Sequence, residues 1–396
     1  MKKCIVFIFS VLLLAISFSV SAQPGDSSTE KTYRVGIFTS LYLDSVFTGD
    51  EYRYDKQMPK YVLPGLDFVE GAQIALDSFN ANGHRIEAYL YDLRSASKPL
   101  TVLYATHALD SLDLIIGSAS GTDFKELADI AKAKNIPFIS ATYPNDGGII
   151  ENPFTIILNS TLTTHCEAIY KYILQTNPTS NILFLKRNAA ADERISHLFT
   201  EFNSSSNNKP LLKMPVVVLP DTGSVNIIKY RLDSTRMNTI IVGSLDEAFG
   251  IRIAEDCEAL AKQYPINLMG MPNWDGIKEF SKPDFKDLPI YYSATYFNPE
   301  TNTWSNSVNN AFNEKTNGKA MDMVFKGFEC TYYFLSVLLK DKTNFMNKLN
   351  DGGYRIFTEY DIKPVHNNKL SVIPDYFENK KIYLLKKMNG VVTKAN

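Results

Sequence analysis

Short apolar strands alternate with amphipathic helices along nearly the whole chain, and this alternation restricts the fold more than any other feature. Arg34-Val35-Gly36-Ile37-Phe38 reads as a buried strand. Leu66, Val69, Ala72, Leu76 and Phe79 then recur at helical spacing, in a helix that stops at the turn-forming residues 80–83. A strand follows over 86–91, a helix over 100–109, a strand over 114–117, a helix over 124–133 and a strand over 137–140. Short connections between strand and helix make βαβ units, so the spacing predicts a parallel sheet covered by helices on both faces.

The rhythm breaks across residues 145–153, which are rich in Gly, Asn and Pro, and then restarts. Helices are expected over 162–174, 193–202, 227–232 and 249–264, and strands over 182–185, 215–219, 239–243, 266–269 and 290–297. This restart implies a second, similar α/β lobe beginning near Phe154. Helices over 307–316 and 322–339 come next, and residues 354–396 return to short extended pieces, ending with a strand over 382–386.

The amino terminus sets the compartment. Lys2 and Lys3 precede an apolar run from Ile5 to Val20, and Val20-Ser21-Ala22 offers small residues to a signal peptidase. Residues 1–22 therefore read as a leader cleaved after Ala22, residues 23–32 as a polar, disordered linker, and the mature chain as periplasmic. The run is too short for a membrane span, and Cys4 precedes it, whereas a lipoprotein cysteine would follow it. With 41 basic and 43 acidic residues mixed along the chain, the formal charge is −2. No basic stripe stands out, which argues against nucleic acid or an anionic membrane surface as a partner.

The mature chain keeps Cys166, Cys257 and Cys330, an odd number that leaves at least one unpaired. Cys166 shares its helix face with Leu162, Ile169 and Ile173, and Cys257 shares its own with Ala254, Leu260 and Ala261. Buried free thiols are the expectation, not a disulfide framework. No C-x-x-C or His-Cys spacing suggests a metal, and no motif suggests a cofactor.

The order of elements resembles that of the type I periplasmic binding proteins, the leucine/isoleucine/valine-binding-protein superfamily with its related receptor ligand-binding regions. The resemblance runs from Tyr33 to Asn396. It rests on the opening strand with Gly36, the helix over 65–80 carrying Glu70-Gly71-Ala72, and the runs Ile115-Ile116-Gly117-Ser118-Ala119-Ser120-Gly121-Thr122 and Asn135-Ile136-Pro137-Phe138-Ile139-Ser140-Ala141-Thr142. Phe325-Lys326-Gly327-Phe328-Glu329 is similar to the family's late Gly-aromatic-acid helix. The implied fold is two similar doubly wound parallel-sheet α/β lobes joined by three crossovers. Residues 33–150 and 300–350 would then form the first lobe, and 151–299 and 351–396 the second.

Open parallel sheets bind ligands beyond the carboxyl ends of their strands. Ser118, Ser120, Gly121 and Thr122 sit at such an end and open a helix, where backbone N–H groups and hydroxyls suit a carboxylate; Ser120 or Thr122 could equally cap that helix. Ser140 and Thr142 end the neighbouring strand. With the resemblance, Ser120, Gly121 and Thr142 are the expected first-lobe anchor. In the second lobe Asp246 and Glu247 could accept a ligand ammonium, or serve the helix dipole. Trp274 could stack on a ligand at the cleft rim or pack its loop, and Tyr42 follows the first strand at the cleft mouth. Two departures bear on the ligand class. Where many relatives carry Tyr-Gly, this chain has Asn188-Ala189-Ala190-Ala191-Asp192, and the segment 41–63, with Tyr42, Phe47, Tyr52, Tyr54 and Tyr61, is long enough to cover or reshape the cleft.

Catalytic motifs are missing. Gly117-Ser118-Ala119-Ser120-Gly121 imitates a nucleophile elbow but has Ala119 at its centre, and there is no phosphate loop, His-Glu-x-x-His or dinucleotide fingerprint. His165 adjoins Cys166, but neighbouring helical residues point apart. The leading expectation is a monomeric, non-enzymatic solute-binding protein for an amino acid or similar polar molecule, serving ABC-type uptake or sensing with an inner-membrane permease. The alternatives are an envelope regulator or scaffold, similar to penicillin-binding-protein activators, that recognises an envelope protein, and an unfamiliar hydrolase.

Overall fold

The alternation builds two seven-stranded sheets. The computed structural model of the chain describes residues 31–54, 57–205, 207, 209–298, 301–368 and 370–395. The leader, Cys4 and the linker up to residue 30 lie outside the described residues. In chain order the strands are β1 (Tyr33–Thr39), β2 (Phe47–Thr48), β3 (Glu51–Tyr52), β4 (Ile86–Asp92), β5 (Leu114–Ser118), β6 (Phe138–Ser140), β7 (Thr155–Ile157) and β8 (Asn181–Lys186). They continue with β9 (Val216–Val218), β10 (Asn238–Val242), β11 (Ile266–Met269), β12 (Ile290–Ala294), β13 (Ile362–Val365), β14 (Tyr376–Asn379), β15 (Tyr383–Met388) and β16 (Val391–Lys394).

The first sheet has the order β13-β14-β7-β6-β5-β1-β4, and the second β16-β15-β12-β11-β10-β8-β9. Pairing is parallel except for β13, β15 and β16, which run antiparallel to their neighbours. Helices flank each sheet, so strand interiors such as β5, β6 and β10 are buried and read as apolar runs. Apolar side chains on the two faces of each sheet form separate clusters.

The lobe boundaries differ from the expected ones. Thr155, Ile156 and Ile157 are fully buried and pair with β6 as a further strand of the first sheet, and β14 joins the other side of that strand. The stretch 145–153 is therefore a connection within the first lobe. Its Glu151 N–H donates to Asp375 Oδ1 at 2.9 Å, and its buried Asn152 donates to the Ala128 carbonyl at 2.8 Å. Residues 351–379, expected in the second lobe, carry β13 and β14 and belong to the first. The chain crosses between lobes at 158–161, 295–302 and 380–382.

The long first loop folds into the helix Leu43–Val46 and the β2–β3 hairpin. Its aromatic side chains stack on one another, with Tyr42 edge-on to Tyr61 and Tyr52 against Phe47 and Tyr54.

Cys166, Cys257 and Cys330 are buried in three different clusters, so no two of them face each other. Burial pushes the Cys166 thiol up to about 12 and raises the other two as well.

Candidate functional site

A chain of hydroxyl and amide groups links the carboxyl ends of four strands. Ser118 ends β5, and its Oγ lies 3.1 Å from Thr142 Oγ1, two residues beyond β6. The Thr142 carbonyl accepts from Asn159 Nδ2 at 2.7 Å, just after β7, and Asn159 Oδ1 accepts from Thr295 Oγ1 at 3.0 Å, just after β12. The chain thus runs from the first lobe through two of the crossovers. Ser140 is fully buried, and its Oγ has no partner among the described residues.

Three adjoining cavities lie along this junction. One of about 460 Å³ is walled by Asn145 from the first lobe, Asn159 and Thr295 from the crossovers, and His165, Asn273 and Ser293 from the second lobe. A second, of about 440 Å³, shares Asn145, Leu162 and Leu245 with the first and extends past Arg194 to Tyr376 and Lys380. A small one of about 40 Å³ is lined by Thr142, Thr295, Tyr296 and Lys326.

Of the expected anchor residues, Thr142 lines the small cavity alone, with Ser118 bonded to its hydroxyl. Ser120, Gly121, Thr122 and Tyr42 line none of the three. Ser120 precedes the helix Gly121–Lys134 in an extended conformation, and its side chain makes no capping bond. Gly121 has φ +57° and open space around it, so backbone conformation explains the glycine. Tyr42 also adopts a positive φ, and its N–H, with those of Leu41 and Leu43, converges on the Asp92 carboxylate at the end of β4.

In the second lobe two expectations are corrected. Trp274 is 0% exposed; its ring packs against Phe280 and fills the space above Gly250 and Gly270, so it is core and not a cleft rim. Asp246 is already committed. One oxygen caps the helix Glu247–Ala261 by accepting from the Phe249 N–H at 2.8 Å, and the other takes Arg187 Nη1 at 2.8 Å. A ligand ammonium would have to displace a guanidinium. Glu247 is exposed in the helix's first turn and lines none of the three cavities. Residues 188–192, where the resemblance leads to a Tyr-Gly pair, lie beside a charge network. Fully buried Asp192 receives Arg187 Nε at 3.1 Å and the Ser244 hydroxyl at 3.0 Å, while the guanidinium lies over the Phe249 ring.

The polar wall that the sequence does not announce comes from His165, Ser293, Asn273, Asp275 and Lys326. Helix Leu162–Thr176 sends Cys166 into the core and His165 to the cavity wall, one step round the helix. His165 is 3% exposed and its Nδ1 lies 2.9 Å from Ser293 Oγ on β12. Burial lowers its pKa to about 4, so it stays neutral near pH 7. Its Nε2 has no partner among the described residues. Ser293 and His165 have the reach of a nucleophile and base, but no carboxylate among the described residues orients the imidazole through Nε2. Asn273 donates from Nδ2 to the Leu245 carbonyl at 2.9 Å, while its buried Oδ1 accepts nothing among the described residues. None of these was an expected ligand group; His165 was read only as the neighbour of Cys166, and the signal that could have found it is a histidine at the start of a helix that opens a lobe.

The hinge itself is tied by a buried carboxylate. Glu378 on β14 accepts from the Thr161 N–H at 2.7 Å, the Thr161 hydroxyl at 2.9 Å and the Thr164 hydroxyl at 2.8 Å, and its other oxygen pairs with Lys380. One first-lobe side chain therefore holds the first residues of the helix that opens the second lobe.

No family model matches the sequence, and no curated protein matches it. Solved structures do. A protein assigned to branched-chain amino acid ABC transport from Rhodospirillum rubrum is similar with a TM-score of 0.66 at 11% identity, over 92% of this chain and 100% of that one. A branched-chain amino acid ABC transporter periplasmic ligand-binding protein from Burkholderia xenovorans gives 0.60 at 11% identity, over 92% and 94%. An ABC transporter substrate-binding protein from Desulfitobacterium hafniense, in complex with Leu, gives 0.54 at 11% identity, over 92% and 100%. With its two mixed, mainly parallel sheets and three crossovers, the chain has the fold of the type I periplasmic binding proteins.

Proposed function

We propose that the protein is an exported solute-binding protein. It holds a small polar molecule, an amino acid or a compound of similar size, in the cavity between its lobes, and presents it to an inner-membrane permease. The observation that carries this reading is the pair of half-bonded side chains on the cavity wall. Buried polar atoms are nearly always hydrogen-bonded, yet among the described residues His165, on the wall of the cavity of about 460 Å³, bonds through Nδ1 alone, and Asn273 beside it has a buried Oδ1 without a partner. A polar ligand in the cavity would complete the imidazole. The Desulfitobacterium hafniense structure, with Leu bound, supports the size class.

Thermal denaturation against amino acids, small carboxylates, amines and sugars tests this. A ligand present at about a hundred times its Kd adds about 2.7 kcal/mol to the folded state, which raises the melting temperature measurably. At least one solute is expected to do so, and to shrink the radius of gyration in small-angle scattering as the lobes close. A library without a single stabilising solute would overturn the reading.

A further inference from the structure

Each seven-stranded sheet ends in two edge strands whose outer backbone groups lack a neighbouring strand, and folded proteins blunt such edges with short strands, Pro or Lys. Three of the edges here are blunted. β13 has four residues with Lys363 and Pro364 at its middle, β16 has four and ends in Lys394, and β9 has three, between Pro215 and Pro220. β4 differs. It is seven residues long, Ile86-Glu87-Ala88-Tyr89-Leu90-Tyr91-Asp92, and holds neither Pro nor Lys. Glu87 to Leu90 are all exposed, Tyr89 at 39% and Leu90 at 49%, so neither face of this stretch is covered.

The pairing with β1 decides which backbone groups of β4 face outward. The Arg85 carbonyl accepts from the Tyr33 N–H at 3.0 Å, and the Leu93 N–H donates to the Thr39 carbonyl at 2.9 Å. Odd-numbered residues therefore turn their backbone groups towards β1. Ile86, Ala88 and Leu90 turn theirs outward, where no described residue pairs with them.

We propose that β4 is a dimerisation edge, at which a second copy of this chain pairs antiparallel about a twofold axis through Ala88. That register sets Ala88 against its own copy and Ile86 against the partner's Leu90, so the backbone groups of all three outward residues bond across the axis, two bonds to each pair. Moving the axis to residue 87 sets Leu90 against the partner's His84, and the His84 N–H is already given to the Phe79 carbonyl. Moving it to residue 89 sets Ile86 against the partner's Asp92, whose carbonyl already accepts from Ser95. The side chains favour the same register. On one face Ile86, Ala88 and Leu90 meet their own kind in reverse order, an apolar row with its smallest member on the axis. On the other face Glu87 stands opposite the partner's Tyr89, and Arg85 opposite the partner's Tyr91. Glu87 is balanced by Arg34 at 2.6 Å and accepts from the Tyr89 hydroxyl at 3.0 Å, so two copies bring no unpaired charge to the edge. No residue of β4 lines the three interlobe cavities, so the dimer is independent of the solute site. It replaces the monomer expected from the sequence.

Sedimentation velocity on the mature chain over about 1–100 μM tests this. The mass should rise with concentration and level off at twice that of one chain, because a closed twofold pair leaves no second β4 edge to extend. Ala88→Lys sets like charges directly opposite each other and should weaken the dimer by about tenfold or more, whereas Val216→Lys, on the β9 edge, should leave it unchanged. Ala88→Cys reads the register. The opposed α-carbons stand about 5.5 Å apart, within disulfide reach, so mild oxidation should give a covalent dimer, the native thiols being buried. Leu90→Cys, set against the partner's Ile86, should not cross-link. Melting temperatures establish that the variants fold. A monomer at every concentration, a mass that climbs past the dimer, a dimer that Ala88→Lys leaves intact, or equal cross-linking by Ala88→Cys and Leu90→Cys would each overturn the proposal.

Discussion

Gly71 and Gly327 meet where the two 19-residue helices of the first lobe, Leu63–Ala81 and Asp322–Lys340, cross. A Cβ on Gly71 would lie 1.9 Å from the Val324 carbonyl oxygen, and one on Gly327 would lie 2.1 Å from that of Phe68. Each helix presses on the other's backbone, and neither can be widened alone. Gly71→Ala and Gly327→Ala should each destabilise by about 1–3 kcal/mol through overpacking. Gly276→Ala, where nothing lies within 4 Å of the added carbon, serves as the control. Urea denaturation should rank the two helix variants well below it.

Thr142 presents a hydroxyl to the small cavity and shares a hydrogen bond with Ser118. Thr142→Val keeps its shape and removes that group. Affinity for the solute that stabilises the protein most should fall by about 1–3 kcal/mol, with little change in melting temperature without ligand. Ser120→Ala should leave affinity unchanged, since its side chain is exposed and lines none of the three cavities. Calorimetry on the two variants separates these outcomes.

His165 gives the protein an acid-sensitive component. Near pH 7 the imidazole is neutral in both states. As pH falls below about 6.5, the unfolded chain takes up a proton that the folded chain refuses until about 4. The folded pKa is depressed, so this contribution is complete above the unfolded value and is lost as pH approaches the folded one, by about 3 kcal/mol in all. The difference in stability between wild type and His165→Gln should therefore shift by that amount between pH 7 and pH 4, in favour of the variant at low pH. A constant difference would mean that His165 protonates freely in the folded state.

Glu378 ties the hinge through Thr161 and Thr164. Glu378→Gln keeps the size but removes the charge that Lys380 and the three donors share, and should cost about 2–3 kcal/mol. The variant should also vary more in lobe angle, seen as a larger radius of gyration without ligand. An unchanged radius together with full stability would show that the other crossovers suffice.

The three buried thiols should be slow to react. Burial holds them protonated at pH 8, with the Cys166 thiol pushed up to about 12. An aromatic disulfide reagent should titrate all three in denaturant without reductant and almost none in the native protein.

Sequence alone determined the alternation of strand and helix, and with it the α/β class and both lobes, because periodicity and turn residues are local properties of the chain. It also placed the thiols in the core, for the same reason. The end of the first lobe was not legible: Thr155-Ile156-Ile157 is an apolar triplet that suits any sheet edge, and only its pairing with β6 assigns it. The recognition groups were hidden for a related reason. Asp246 looked available until Arg187, 59 positions away, was found to occupy it, and His165 gains its meaning from Ser293, 128 positions away. Trp274 looked like a loop aromatic until the space over Gly250 and Gly270 enclosed it. A strand or helix follows from its own residues, whereas a site is made of groups that only the packing of distant segments brings within hydrogen-bonding distance.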